Sequence, residues 1–87
     1  MFVILVYDTL AERNPRVLKT CRQYLHWVQN SAFEGELSAA QYRSLTRELT
    51  TQIDISYDSV RIYTVRGPEF IDKHTIGVRL AETGPVL

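Results

Sequence analysis

Met1-Phe2-Val3-Ile4-Leu5-Val6-Tyr7-Asp8 opens the chain, and its reading decides the fold. From Phe2 to Tyr7 the run is unbroken, apolar and rich in β-branched and aromatic residues, and a carboxylate closes it. A strand with one wet face would alternate polar with apolar. A continuous run predicts instead a strand covered on both faces, at the centre of a sheet. Its length is short for a helix and ordinary for a strand. Asp8 then stands at the carboxyl end of a central strand, where chemistry gathers in open α/β arrangements. It is the first candidate for function.

Outward from that strand, Thr9 to Asn14 is a polar link, followed by Pro15. Asn14-Pro15 predicts the N-cap and first residue of a helix, because proline lacks a donor that the first helical position does not need. Val17, Leu18, Cys21 and Leu25 form one apolar stripe of a helix that should end near His26. Trp27 to Leu37 is roughly alternating and reads as one bent strand or two short ones, with Asn30-Ser31 or Glu34-Gly35 as the bend. Ser38 and Gln41 form a capping box that opens a second helix, with Tyr42, Leu45, Leu49 and Ile53 as its buried stripe. Asp54 to Asp58 reads as a polar turn. Val60 to Val65 alternates as a strand, Val60, Ile62 and Thr64 facing one way and Arg61, Tyr63 and Val65 the other. Gly67-Pro68 breaks it. Thr75 to Arg79 is a last strand-like stretch, expected to pair at a sheet edge, most naturally that of a second copy.

This order matches the split βαβ plan: a ferredoxin-like α+β domain, βαββαβ, with an antiparallel sheet, two helices on one face and an extra C-terminal strand. The first strand lies mid-sheet in that plan, as its apolar run requires. At 87 residues the chain is expected to be a single domain over 1–87, with 67–87 as a tail. A domain of this size buries only about 60% of its unfolded surface. Pairing with a second copy would relieve both the thin core and the open sheet edge, so a homodimer is expected.

Ten basic and ten acidic residues cancel, so net charge neither implies nor excludes nucleic acid. Their placement is more telling. Arg13, Arg16, Lys19 and Arg22 face only Asp8 and Glu12 within the first 33 residues. Arg16, Lys19 and Arg22 recur every third residue and share a helix side, drifting about 60° per step. Such a stripe is often a solvated face, but here Arg13 extends it into the loop beside Asp8. A single cysteine, Cys21, forms no internal disulfide and fits a reducing compartment. No basic segment precedes the apolar start, and the run is too short for a membrane span. A cytoplasmic protein with no membrane partner is expected.

Asp8 could be no more than a turn former. Its functional reading is a ligand for Mg²⁺, a hard ion that keeps several waters and needs only one or two carboxylates beside substrate phosphates. Two copies meeting across a dimer axis would supply a pair. His26 and His74 have no zinc-type spacing, Cys21 lies on the apolar stripe, and the four glycines are too scattered for a phosphate loop. Trp27, Phe33, Tyr42 and Tyr63 read as core or interface rather than as stacking platforms.

Taken together, Val3-Ile4-Leu5-Val6-Tyr7-Asp8, the arginine-bearing loop and helix, Val28-Gln29-Asn30-Ser31-Ala32-Phe33-Glu34-Gly35-Glu36-Leu37, and Ser59-Val60-Arg61-Ile62-Tyr63 resemble the CRISPR-associated protein 2 family. The resemblance runs from residue 1 to about 66. It implies a ferredoxin-like homodimer in the spacer-acquisition machinery, with Asp8 as the catalytic, metal-binding residue facing its twin across the dimer axis. It also matches the family's basic residues to Arg13 and Arg16, and its Ser-x-Phe to Ser31 and Phe33 as supporting residues.

Two functions then compete. One is a Mg²⁺-dependent endonuclease acting on RNA or DNA, with Asp8 holding the metal and Arg13 or Arg16 offsetting charge on the phosphate. The other is a non-catalytic adaptor that bridges dimers of the CRISPR-associated integrase, protein 1 of the adaptation complex. That role would use Arg16, Lys19 and Arg22 as sequence-independent contacts to duplex DNA. Only the first needs Asp8.

Overall fold

The computed structural model describes residues 1–78. The chain runs β1 (Phe2–Asp8), α1 (Asn14–Tyr24), β2 (His26–Gln29), β3 (Ala32–Glu36), α2 (Ala39–Gln52), β4 (Ser59–Val65) and a short 3₁₀ turn at Pro68–Phe70. The sheet has the order β2-β3-β1-β4, and every neighbouring pair is antiparallel. This is the ferredoxin-like arrangement expected from the element order, with β1 in an interior position.

Alternation along β1 divides the molecule. Val3, Leu5 and Tyr7 point to one face and join Val17, Cys21 and Leu25 near α1, Phe33 and Leu37 near β3, and Leu45 and Leu49 of α2 in a single core. Tyr7 stacks on Phe33 with ring centroids 6.3 Å apart. Between the helices, the Thr20 and Gln52 side chains hydrogen-bond each other, and the Tyr24 hydroxyl donates to Glu48. Thr20 is therefore buried without an unsatisfied hydroxyl.

The opposite face differs from expectation. The apolar run of β1 predicts cover on both sides, yet within one chain Val6 is 42% exposed and Tyr63, the β4 partner of Ile4, 54%. Both helices lie against the other face, and among the described residues only the segment after β4 reaches this one. Lys73 pairs with Glu34 at 2.8 Å, and its ammonium lies 5.7 Å from the centre of the Phe2 ring. Phe2 is buried as a result. The rest of the face is open.

Local boundaries follow local chemistry. Trp27 to Leu37 is two strands, turned at Asn30-Ser31, where Asn30 takes a positive φ of 44°. Asparagine tolerates that conformation better than most residues. The Ser38–Gln41 capping box forms with both reciprocal hydrogen bonds. α1 begins one residue earlier than Asn14-Pro15 suggests: Arg13 is the N-cap, Asn14 is helical, and the Asn14 side chain accepts from the Thr9 hydroxyl. The helix stops at Tyr24, short of His26. The strand expected over Thr75–Arg79 does not form within residues 75 to 78, which show only a bend at Gly77. A strand needs a ladder partner, and among the described residues no strand pairs with this stretch. Arg79 lies outside the described residues.

Candidate metal and nucleic-acid site

Asp8 is the last residue of β1, exposed, and paired across the ladder with Ser59, the first residue of β4. These two strand ends and the loop after β1 line an open cleft of about 370 Å³ formed by Asp8, Thr9, Leu10, Ala11, Tyr57 and Ser59. Only Asp8 among them carries a formal charge. No described cation forms a salt bridge with it. An exposed carboxylate in a cleft that Thr9, Tyr57 and Ser59 also line offers hard oxygen donors.

That set fits Mg²⁺ held loosely, through one carboxylate with water and phosphate completing the shell. It does not fit a closed protein cage. Among the described residues there is no group of three or more His, Cys, Asp or Glu side chains able to enclose a metal. His26 and His74 are both exposed and lie outside the cleft lining.

The structure separates the four basic candidates. Arg16, Lys19 and Arg22 are exposed on α1, as their spacing predicts. Arg13 is not free. Its Nε donates to Asp58 Oδ2 at 2.5 Å and its Nη2 to Oδ1 at 3.0 Å, a two-pronged ion pair with a carboxylate whose side chain is fully buried. The loop cation expected to face a phosphate is turned inward instead. Asp58 also accepts from the Leu10 amide at 2.9 Å and the Asp54 amide at 2.9 Å. The Arg13 guanidinium beside it, with these amides, holds its carboxyl well below the usual range.

Ser31 and Phe33 do not reach the cleft. Phe33 is fully buried in the core, and Ser31 is half-buried, its carbonyl accepting from the Tyr7 amide at 3.1 Å. Phe33 supports β1 from the neighbouring strand and Ser31 from the turn before it, both away from the cleft lining. Cys21 is fully buried among apolar side chains, and that burial pushes its thiol up to about 12. Such a thiol is packing material, not a nucleophile.

Three residues of the site escape a reading of the sequence. Tyr57 and Ser59 line the cleft from the segment that enters β4, and Asp58 between them accepts from the amide of Leu10 in the lining. The Asp54 to Asp58 segment is indeed a turn, but its last member is buried. Nothing local in Ile55-Ser56-Tyr57-Asp58-Ser59 signals that.

Residues 1–72 match the family model described as CRISPR associated protein Cas2. The chain is 59% identical to a CRISPR-associated endoribonuclease Cas2 of Frankia alni over the full length of both. It is 44% identical to one of Thermotoga maritima over 97% of each chain. A solved Cas2 crystal structure superposes with a TM-score of 0.83 at 46% identity, covering 91% of this chain and 88% of that one.

Proposed function

The chain belongs to the Cas2 family of CRISPR-associated proteins, and we propose that it acts as a homodimeric, metal-dependent endonuclease whose Asp8 holds the ion. The observation that carries this reading is Asp8 itself. It is exposed, without a cationic partner among the described residues, and the sole formal charge in the cleft lining. A carboxylate with only a structural task would more often be capped or paired, as Asp58 is. The relatives named as endoribonucleases favour RNA as the substrate.

Within this reading each side chain has a limited task. Asp8 supplies the charged oxygen ligand. Bound there, Mg²⁺ would neutralise phosphate charge and acidify water. Arg16 takes the task of offsetting phosphate charge, since Arg13 is committed to Asp58. The second copy supplies the second carboxylate. Its seat is the open face of the sheet, where Ile4 and Val6 on β1 and Tyr63 and Val65 on β4 leave apolar surface bare. The edge of β4, unpaired among the described residues, is the natural ladder partner for the Thr75–Arg79 stretch of the other copy.

Asp8→Asn keeps the size and turn propensity of the side chain but removes the charge a hard cation needs. It is expected to abolish Mg²⁺-dependent cleavage of single-stranded RNA and leave the circular dichroism spectrum unchanged. Undiminished cleavage by a clean preparation of the variant would overturn the reading.

A second reading rests on a different observation, the exposure of Arg16, Lys19 and Arg22 along α1. With it the protein holds duplex DNA as the adaptor between integrase dimers in spacer acquisition, with no need of Asp8. The two roles share Arg16 but differ in their need of Asp8, and they are compatible.

A further inference from the structure

We propose that Asp58 is a positioning residue for Asp8: with Arg13 it forms a buried clasp that fixes the loop leaving β1, and so fixes the carboxylate offered to the metal. The proposal rests on the reading of Asp8 as the metal ligand and goes beyond it, to a residue that cannot itself reach the ion's ligand sphere.

The geometry is that of a junction. Asp58 Oδ1 accepts from the Leu10 amide and from Arg13 Nη2, both in the segment that follows Asp8. Asp58 Oδ2 accepts from Arg13 Nε in that same segment and from the Asp54 amide, in the turn before β4. One carboxylate thus ties together the two stretches of chain that flank the cleft. It is joined to the cleft by the sheet as well, because Ser59, the next residue, is the ladder partner of Asp8. Leu10 is two residues beyond Asp8, and its amide is pinned. Asp8 therefore has a fixed strand on one side and a fixed loop on the other.

Stability alone is a weak reason for this arrangement. A buried ion pair seldom stabilises a fold more than apolar side chains of the same volume would. Its value lies in direction: a two-pronged guanidinium–carboxylate pair admits few orientations. Direction matters most where a metal depends on so few protein ligands. A cage of four side chains tolerates the drift of one, whereas a single carboxylate does not. Partners hydrogen-bonded directly to a metal ligand alter affinity or activity by about 10–100-fold when removed, and that sets the scale for a group that orients the ligand through its backbone. The clasp also explains why the loop's one arginine faces inward while Arg16, one helical turn on, faces solvent.

The test uses the full-length chain with Mn²⁺ as the probe, bound metal being read by electron paramagnetic resonance. Amide NMR of the metal-free protein reads the loop. Asp58→Asn is expected to weaken Mn²⁺ binding about 10–100-fold and to shift the amides of residues 8–13 while leaving those of α2 in place. Cleavage should lose kcat with little change in KM for RNA, since the clasp touches no nucleic acid. Arg13→Lys keeps the charge but loses the fork, and is expected to fall between wild type and Asp58→Asn. It also carries the test should Asp58→Asn fail to fold. Binding that depends on Asp8 in the wild type yet is unweakened in a folded Asp58→Asn or Arg13→Lys chain would overturn the clasp alone. Equal Mn²⁺ binding by wild type and Asp8→Asn would overturn the metal reading of Asp8, and the clasp with it.

Discussion

Val6 faces Arg61 across the β1–β4 ladder, on the side of the sheet that the helices leave bare. An apolar side chain at the centre of the central strand is thus 42% exposed beside a charged one. If a second copy covers this face, Val6→Lys places two cations where apolar contact is needed, and the symmetry of a dimer repeats the change. Sedimentation over a concentration series is expected to show the dissociation constant raised by at least about 10-fold, a loss of roughly 1.4 kcal/mol. A variant as dimeric as wild type at low concentration would place the interface elsewhere.

The buried thiol gives a second expectation. Cys21 is fully buried, and its thiol is pushed up to about 12, so almost no thiolate exists at neutral pH. A disulfide reagent such as Ellman's should leave the native chain unmodified and label one thiol per chain in step with unfolding by denaturant. Rapid labelling of the folded protein would show that α1 lifts readily from the sheet.

What the sequence discloses and what it conceals divide along the range of the interactions. The Ser38–Gln41 capping box is legible because both partners sit within one turn, and the stripes of α1 and α2 because burial repeats at the helical period. The position of β1 is legible from its apolar run, but the run does not say what covers its second face. Arg13 illustrates the failure most clearly. As a cation in a polar loop beside Asp8 it reads as available, and only the fold brings Asp58 to it from 45 residues away. Asp58 reads as one more polar turn residue for the same reason. Thr75–Arg79 has a strand's composition, yet composition cannot supply the partner strand that a ladder needs.

Acid sensitivity follows from the clasp. The Arg13 guanidinium, with the Asp54 and Leu10 amides, depresses the Asp58 carboxyl in the folded state below the ordinary aspartate value of about 4. The charged form is therefore favoured by folding. Its contribution is fully present above about pH 4 and declines below it, as the unfolded chain takes up a proton that the folded chain refuses. Melting temperature measured from pH 7 down to pH 2 is expected to fall in the acid range for wild type, and to fall less steeply for Asp58→Asn, which starts lower. Parallel curves for the two proteins would mean that other carboxylates govern acid unfolding.

The cations of α1 decide between a solvated face and a nucleic-acid path. Arg16, Lys19 and Arg22 are all exposed, and no acidic residue lies between Asn14 and Phe33 to neutralise them locally. Lysine and arginine contacts to phosphate release counterions, so binding weakens with salt by roughly 0.9 in log–log slope for each contact on B-form DNA. Replacing all three by glutamine is expected to weaken duplex binding and to flatten that slope, by up to about 2.7 if each makes one contact. Asp8→Asn should leave the slope unaltered and, by removing a negative charge, leave affinity equal or slightly raised. Arg13→Gln should change the slope little, because its guanidinium is spent on Asp58 rather than on phosphate. Titrations between about 50 and 200 mM salt, the range over which phosphate contacts dominate, separate these outcomes. A triple variant with the wild-type slope would make the stripe a solvated face and send the DNA path across another surface.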